Sequence, residues 1–131
     1  MNDFSKALMI SASGLDAQVK RLRHLSENIS NADTPGYRRK TVSFRTEFGA
    51  QDGASAVSVG PVKLDRVTEL ERIYDPSHPL ADPSGHYEGS NVDLLIELAD
   101  AREAQRSYEA NLKMFETARK MSSGLQELLR R

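Results

Sequence analysis

The last third of the sequence, residues 90–130, carries an apolar repeat that is long for a chain of this size. Apolar and small side chains recur at seven-residue intervals, with others in the turns between: Leu94, Leu98, Ala101, Ala104, Tyr108, Leu112, Phe115, Ala118, Leu125 and Leu129. This spacing predicts one face of an amphipathic helix. A helix of some 40 residues extends roughly 60 Å at about 1.5 Å per residue, so it requires a partner of similar length.

A capping signal indicates where this helix begins. Ser90 precedes Asp93 by three residues, as in a capping box, and Asp93 and Glu97 place negative charge at the positive end of the helix dipole. We therefore expect the helix to begin at Ser90. We expect both carboxylates to lie on its charged, solvated face.

A second apolar repeat, near the N-terminus, provides the partner that the C-terminal helix requires. Leu8, Leu15, Leu22 and Ile29 recur every seven residues within 3–31, and the small residues at 11–14 allow another backbone to approach closely. Because the chain leaves the first helix and returns to the second, the two helices are expected to lie antiparallel. The sequence thus predicts a mainly α fold in which long N- and C-terminal helices pack as an antiparallel coiled coil.

The middle of the chain predicts a small β element. A turn that contains Pro and Gly ends the first helix, and its signature residues are Asn28, Asn31, Thr34, Pro35, Gly36 and Tyr37. Short strands or a hairpin are expected after it, up to residue 74, with a mobile loop near 49–56 and a proline-rich arm over 75–86. We predict a terminal helical domain from 1–36 and 88–131, and a small β or extended arm over 37–87.

Composition excludes several functional classes. The 131 residues carry a net charge of −1, so no overall field favours nucleic acid or anionic lipid. The chain has no Cys, which excludes disulfides and thiol catalysis. No stretch approaches the ~20 apolar residues of a membrane span, and the N-terminus lacks the pattern of a cleaved secretory signal.

Candidate chemical sites have ordinary structural interpretations. His24, His78 and His86 lack metal-ligand spacing, so we interpret them as surface or packing residues. The basic run 38–40 is interpreted as a solvated strand edge or a subunit contact, in preference to a phosphate site. No nucleophile stands with a base, so neither an enzyme nor a cofactor is expected.

Segments near both ends of the chain resemble a known family. Residues 13–15 and 27–38 are similar to the N-terminal signature of the rod and hook proteins of the bacterial flagellum. Residues 90–93 and 103–111 resemble their C-terminal signature. The short middle of the chain, with the run Tyr74–Pro79, looks most like the C-type proximal rod proteins, and the B-type is the nearest rival.

The resemblance implies a structural subunit of the basal-body rod. Such subunits assemble helically into a hollow drive shaft that transmits torque and conducts exported subunits. The implied partners are other rod proteins, copies of the chain itself and, transiently, the flagellar type III export apparatus. The implied location is the periplasmic rod, reached without a cleaved signal peptide. In this family the terminal helices stay poorly ordered until assembly.

The resemblance also gives roles to particular residues. Phe44 and Phe48 fit a short pattern that flagellar subunits are thought to offer to the export gate, although ordinary strand packing explains them as well. The expected packing and assembly residues are Leu8, Leu15, Leu22, Ile29, Leu98, Tyr108, Leu112, Phe115 and Leu125. The alternative function is a soluble antiparallel coiled-coil adaptor.

Overall fold

The computed structural model describes residues 3–48 and 55–130. Two long helices, α1 (Asp3–Ser30) and α2 (Leu94–Arg130), bracket six short strands. The strands are β1 (Lys40–Thr41), β2 (Phe44–Phe48), β3 (Ser55–Val59), β4 (Lys63–Leu64), β5 (Arg72–Tyr74) and β6 (His86–Glu88). The prediction of a mainly α chain with a small β element is confirmed.

The strands form three separate antiparallel pairs. In the longest pair, β2 and β3 align Phe44 with Val59 and Phe48 with Ser55. The β1 strand pairs with β4, and β5 pairs with β6. Of the loop predicted near 49–56, residues 49–54 lie outside the described residues, while Ser55 and Ala56 begin β3.

The contacts divide the chain into two compact units. The terminal unit comprises the described residues of Met1–Leu22, Ser43–Gly60 and Glu103–Arg131. The junction unit comprises Arg23–Val42 and Pro61–Arg102. These boundaries fall within both helices, whereas the sequence-based division separates the helices from the arm. That division stays a prediction about the assembled protein.

In the terminal unit, α1 and α2 contact each other in opposite chain directions. Arg21 Nη2 lies 3.5 Å from Glu103 Oε2. Further toward the N-terminus, Gly14 is buried, and a Cβ at this position would lie 2.9 Å from Asn111 Nδ2. A close neighbour is therefore present at Gly14, but it is the side chain of Asn111, so the predicted approach of another backbone stays a prediction.

The β2–β3 hairpin is attached to α1 by two contacts. The Val57 amide donates a 3.0 Å hydrogen bond to Ser13 Oγ. The guanidinium of Arg21 lies over the Phe44 ring, 5.9 Å from its centroid. A serine in the small-residue run thus serves as a polar anchor for the hairpin.

The most buried positions of the helices are not the rows of large apolar residues. On α2 the innermost row is Glu97, Ala104, Asn111 and Ala118, of which Glu97 and Ala104 are completely buried. On α1 the buried residues are Ser11, Gly14, Ala17, Gln18, Leu25 and Asn28. Apart from Leu25, the buried positions of the two helices hold small or polar side chains.

The start of α2 differs from the prediction. The helix begins at Leu94, four residues after Ser90, and Asp93 is its N-cap because Asp93 Oδ1 accepts a 3.0 Å hydrogen bond from the Leu95 amide. Ser90 instead donates its hydroxyl to the carbonyl of Ala32. The capping-box prediction was wrong because Ser90 bonds a distant segment of the chain.

Candidate functional site: the polar cluster of the junction unit

The end of α1 leads into a tight turn. The Tyr37 amide donates a 3.1 Å hydrogen bond to the Thr34 carbonyl, with Pro35 and Gly36 between them. Gly36 has a φ of +74°, as the third residue of a type II turn requires. Its amide donates to the carbonyls of Glu88 and Gly89, at 3.2 and 3.0 Å. The turn therefore redirects the chain and also contacts the segment that precedes α2.

Asn28 is completely buried, and every hydrogen-bonding position of its amide is used. Its Oδ1 accepts from the Lys40 amide at 2.8 Å and from the Tyr37 hydroxyl at 2.9 Å. Its Nδ2 donates to the Lys40 carbonyl at 2.9 Å and to Glu97 Oε2 at 3.2 Å. Because it pairs with both backbone groups of Lys40, Asn28 holds β1 as a neighbouring strand would.

Tyr37 completes this arrangement as a hydrogen-bond donor. Its side chain is half-buried, and burial raises the pKa of the phenol above its ordinary value. The hydroxyl therefore keeps its proton and continues to donate to Asn28 at physiological pH. In the single chain, the Tyr37 hydroxyl is therefore bonded within its own unit.

Glu97 is the buried charge at the centre of the cluster. Its side chain is completely buried, and its Oε1 accepts a 2.8 Å hydrogen bond from Arg39 Nε. Arg39 also lies near Asp65, with Nη1 3.8 Å from Oδ2. Burying a carboxylate is costly unless it is paired and hydrogen-bonded, and here the guanidinium and the Asn28 amide meet both conditions. The interpretation of Glu97 as a solvated helix-face residue was wrong.

Asn91, which precedes α2, holds the chain by hydrogen bonds to its backbone, as Asn28 does. Its Oδ1 accepts a 2.7 Å hydrogen bond from the Arg39 amide, and its own amide nitrogen donates to the Tyr37 carbonyl at 3.3 Å. Its Nδ2 donates to the carbonyls of Asp65 and Thr68, at 2.9 and 3.1 Å. Two buried asparagines, one from each signature segment, thus fix the backbone of residues 37–40.

Lys40 adds an ion pair at the edge of the cluster. Its Nζ lies 2.6 Å from Glu27 Oε2, and both side chains are about one third exposed. The hydrogen bond from Lys40 lowers the pKa of Glu27, and the same bond raises the pKa of Lys40. With Arg38 Nη1 donating to the Asp65 carbonyl at 3.3 Å, the basic run 38–40 bonds internally. It is therefore not a freely solvated strand edge, and its role as a subunit contact stays a prediction.

The proline-rich arm after β5 contains one hydrogen-bonded motif that occurs twice. Asp75 Oδ1 accepts from the amide and hydroxyl of Ser77, and Asp82 Oδ1 accepts in the same way from Ser84. These bonds hold the pKa of both aspartates below its ordinary value. The arm is therefore ordered by local side-chain to backbone bonds.

The three histidines have ordinary structural surroundings. His78 stacks on Tyr87 with ring centroids 3.8 Å apart, and His86 lies 5.1 Å from the Tyr74 ring. His24 Nδ1 lies 3.7 Å from Glu27 Oε2. Among residues 3–48 and 55–130, no group of three or more His, Cys, Asp or Glu side chains could hold a metal ion. Nor is any helix within these residues long and apolar enough to cross a membrane.

The residues expected to pack or assemble have intermediate or high exposure in the single chain. Those of intermediate exposure are Leu8, Leu15, Leu22, Ile29, Tyr108, Leu112 and Phe115. Leu98 and Leu125 are exposed, at 51% and 43%. Phe44 is 41% exposed on β2, and the backbone of Phe48 ends the same strand. Their role in assembly or export stays a prediction.

Sequence reasoning identified Asn28 and Tyr37 as signature residues but missed the roles of Glu97 and Asn91. Glu97 stands seven residues before Ala104, which is in turn seven before Asn111. Extending this row of small residues backward would have indicated that Glu97 faces inward. For Asn91 no comparable periodic signal exists, because it lies before the helix.

Both signature segments match models of flagellar families. Residues 8–38 match the family described as "Flagella basal body rod protein", and residues 84–128 match "Flagellar basal body rod FlgEFG protein C-terminal". These two ranges contain Asn28, Asn91 and Glu97.

Full-length relatives give a more specific assignment. The chain is 44% identical to the flagellar basal-body rod protein FlgC of Agrobacterium fabrum, over 99% of this chain and 98% of the relative. The chain belongs to the FlgC family of flagellar basal-body rod proteins. FlgC of Aquifex aeolicus is 36% identical over 88% of the chain and 89% of its own length, and FlgC of Salmonella typhimurium is 35% identical over 86% and 87%. As a member of the FlgC family, the chain is a structural subunit of the flagellar basal-body rod.

Proposed function

We propose that this rod subunit assembles helically, with other rod proteins and with copies of itself, into a hollow shaft that transmits torque and conducts exported subunits. The observation that carries the proposal is the exposure of large apolar side chains along α2. Leu95, Met114, Met121, Leu128 and Leu129 are all more than half exposed. A chain that keeps such surface on a single long helix gains stability when neighbouring subunits cover it.

In this proposal the two helices pack as an antiparallel coiled coil inside the assembly. The contacts of Gly14 with Asn111 and of Arg21 with Glu103 support the antiparallel direction. Knobs-into-holes packing by Leu8, Leu15 and Leu112 would extend these contacts. Leu98 and Leu125, which are exposed in the single chain, would pack against neighbouring subunits.

We further propose that folding of the terminal unit is completed on assembly. Its buried apolar residues are alanines, Ala17, Ala104 and Ala118 among the described residues. Each large side chain fully buried contributes roughly 1.5–3 kcal/mol, while ordering costs roughly 1–2 kcal/mol per residue in backbone entropy. Neighbours therefore supply the burial that the single chain lacks. The junction unit, with its hydrogen-bonded cluster, would hold its structure in the free chain.

The route to the rod belongs to the same proposal. The chain would leave the cytoplasm through the flagellar type III apparatus without a cleaved signal peptide, and would reside in the periplasmic part of the basal body. Phe44 and Phe48 are the candidate contacts with the export gate. Exposure of Phe44 on β2 supports its availability.

Deletion of the gene in its own bacterium tests the rod function. We expect non-motile cells whose isolated basal bodies lack a rod beyond the inner membrane, and restoration of both by the unaltered chain. Intact rods in the deletion strain would overturn the proposal. Family membership favours this function over the soluble adaptor, which would be substantially helical and unfold cooperatively as a free monomer. Hydrogen exchange of the purified chain distinguishes the two, because a rod subunit leaves the amides of the terminal unit weakly protected.

A further inference from the structure

An apolar groove lies between the two helical segments of the terminal unit. Phe4 and Ala7 of α1 and Met114, Ala118 and Met121 of α2 line it, and its volume is about 510 Å³. Met114 is 63% exposed and Met121 57%. Methionine side chains adapt to the shape of a partner, so this floor suits a small apolar side chain inserted from outside.

Two opposite charges flank the apolar floor. Asp3 and Lys113 line the same groove, and both side chains are exposed. Within the described part of the chain, neither of them is in a salt bridge. The groove therefore offers one anionic and one cationic position beside its apolar floor.

The junction unit carries a loop with the complementary properties. Val67 is 93% exposed, more than any other large apolar side chain among the described residues. Arg66 and Glu69 stand on its two sides, both exposed and, within residues 3–48 and 55–130, both without a salt bridge. The loop presents one apolar side chain between a cation and an anion.

This loop is held in one conformation by the polar cluster. Asp65 Oδ1 accepts from the amides of Val67 and Thr68, each at 3.0 Å, and Asp65 Oδ2 accepts from the Thr68 hydroxyl at 2.7 Å. Asn91 Nδ2 donates to the carbonyls of Asp65 and Thr68. Because the loop is fixed before binding, an interface at Val67 would lose little conformational entropy.

We propose that the Arg66–Glu69 loop of one copy of this chain docks in the apolar groove of a second copy, with Val67 between Phe4 and Met114. Arg66 would then face Asp3, and Glu69 would face Lys113. Charge complementarity selects a second copy as the occupant, since both the pair of charges on the loop and the pair at the groove belong to this chain. The contact joins two different surfaces, so it is heterologous and propagates from copy to copy.

The inference rests on the proposed role as a polymerising subunit, and crosslinking in the rod tests it. The chain has no Cys, so single cysteines can be placed without background. Chains with Val67→Cys and chains with Met114→Cys are expressed together in the deletion strain, and isolated basal bodies are oxidised. Because each chain then carries a single cysteine, a disulfide-linked dimer forms only where two chains are in contact. Leu80→Cys, at a 64% exposed site of the same unit, replaces Val67→Cys as the control.

We expect at least about tenfold more disulfide-linked dimer from the 67 and 114 pair than from the 80 and 114 pair. Equal yields, or no dimer from rods that contain both variants, would overturn the proposal. A different crosslinked rod protein in place of the dimer would also overturn it, because the occupant would then be another subunit.

Substitutions provide an independent measurement. Val67→Asp is expected to lower incorporation into basal bodies about tenfold, while Leu80→Asp leaves it unchanged. Arg66→Glu should lower incorporation, and Asp3→Lys in the same chain should restore it. Normal incorporation of Val67→Asp would overturn the docking contact and leave the rod function intact. Rods in the deletion strain would instead overturn the rod function itself.

Discussion

Asn28 and Glu97, which are 69 residues apart in sequence, are hydrogen-bonded to each other at 3.2 Å, and both side chains are completely buried. Asn28 stands near the end of α1, and Glu97 lies in the first turn of α2. Both bond further to residues 37–40, which follow the Pro35–Gly36 turn. The junction of the two signature segments is therefore a hydrogen-bonded polar cluster, and the direction of the chain after α1 depends on it.

Replacing Glu97 should destabilise the junction unit. In Glu97→Ala, the Asn28 amide and the Arg39 guanidinium lose their shared acceptor, which should lower the free energy of unfolding by about 3 kcal/mol. Urea unfolding followed by tyrosine fluorescence measures this, since Tyr37, Tyr74 and Tyr87 all lie in this unit. The control is Arg72→Ala, which removes an exposed ion pair and should cost less than about 1 kcal/mol. Equal losses in the two variants would contradict the role of Glu97.

Replacing Gly36 should strain the turn without any clash. Its φ is +74°, and a Cβ at this position would meet nothing within 4 Å. Gly36→Ala should therefore lower the free energy of unfolding by roughly 1–2 kcal/mol through backbone strain alone. Gly36→Asn is the matched control, because asparagine adopts this conformation more readily and should lose less. The same urea titration compares them, and equal stability of all three chains would refute the argument.

Adding a methyl group at Gly14, where Asn111 lies close, should impair assembly. In Gly14→Ala the new methyl carbon would lie 2.9 Å from Asn111 Nδ2, and overpacking of this kind costs roughly 1–3 kcal/mol. Asn111→Ala in the same chain removes the clash, so the double variant should recover. Incorporation into isolated basal bodies measures the effect. A fully functional Gly14→Ala chain would show that the helices do not pack this closely in the rod.

Introducing a charge at Leu112 should prevent assembly but not export. Leu112→Asp would place an unpaired carboxylate in the helical packing, which is strongly unfavourable. The subunit should still appear outside the cytoplasm, because the substitution leaves the β2 strand unchanged. Immunoblots of the exported fraction and a swimming assay report the two results separately. Normal swimming by the Leu112→Asp variant would contradict the packing proposal.

Replacing Pro35 should have a smaller effect. Pro35→Ala loosens the turn, so it should disturb assembly less severely than Leu112→Asp does, and the same swimming assay compares the two variants.

The Lys40 and Glu27 pair should contribute to acid sensitivity. Lys40 lowers the pKa of Glu27 below its ordinary value of 4.5, so the pair stabilises the fold above that pH. The contribution is lost as pH falls through the lower pKa of the folded state. In Lys40→Met, stability should therefore decline less between about pH 6 and about pH 3 than it does in the unaltered chain.

The effect of this pair should be modest, because both side chains are about one third exposed and salt screens them. Urea midpoints at the two pH values provide the measurement. Lys63→Met is the control, since Lys63 lies on the strand paired with β1 and, among the described residues, is in no salt bridge. An acid loss in Lys40→Met as large as in the control would exclude the pair as its source.

The sequence alone determined the two helices and the turn that ends the first one. Helical periodicity is local information, since a seven-residue repeat requires nothing beyond its own segment to be recognised. The Pro35–Gly36 turn is equally local, because proline fixes φ and glycine permits the positive φ found at residue 36. The same two regions carried the resemblance that the FlgC relatives confirm.

Only the tertiary structure decided which distant residues surround the buried side chains and what the charged residues do. Leu8, Leu15 and Leu112 are of intermediate exposure, whereas Glu97, Asn28 and Ala104 are completely buried. A carboxylate is normally solvated, and it becomes buried only when distant residues such as Arg39 and Asn28 supply its hydrogen bonds. Those partners come from other parts of the chain, so no periodicity within one helix could indicate them.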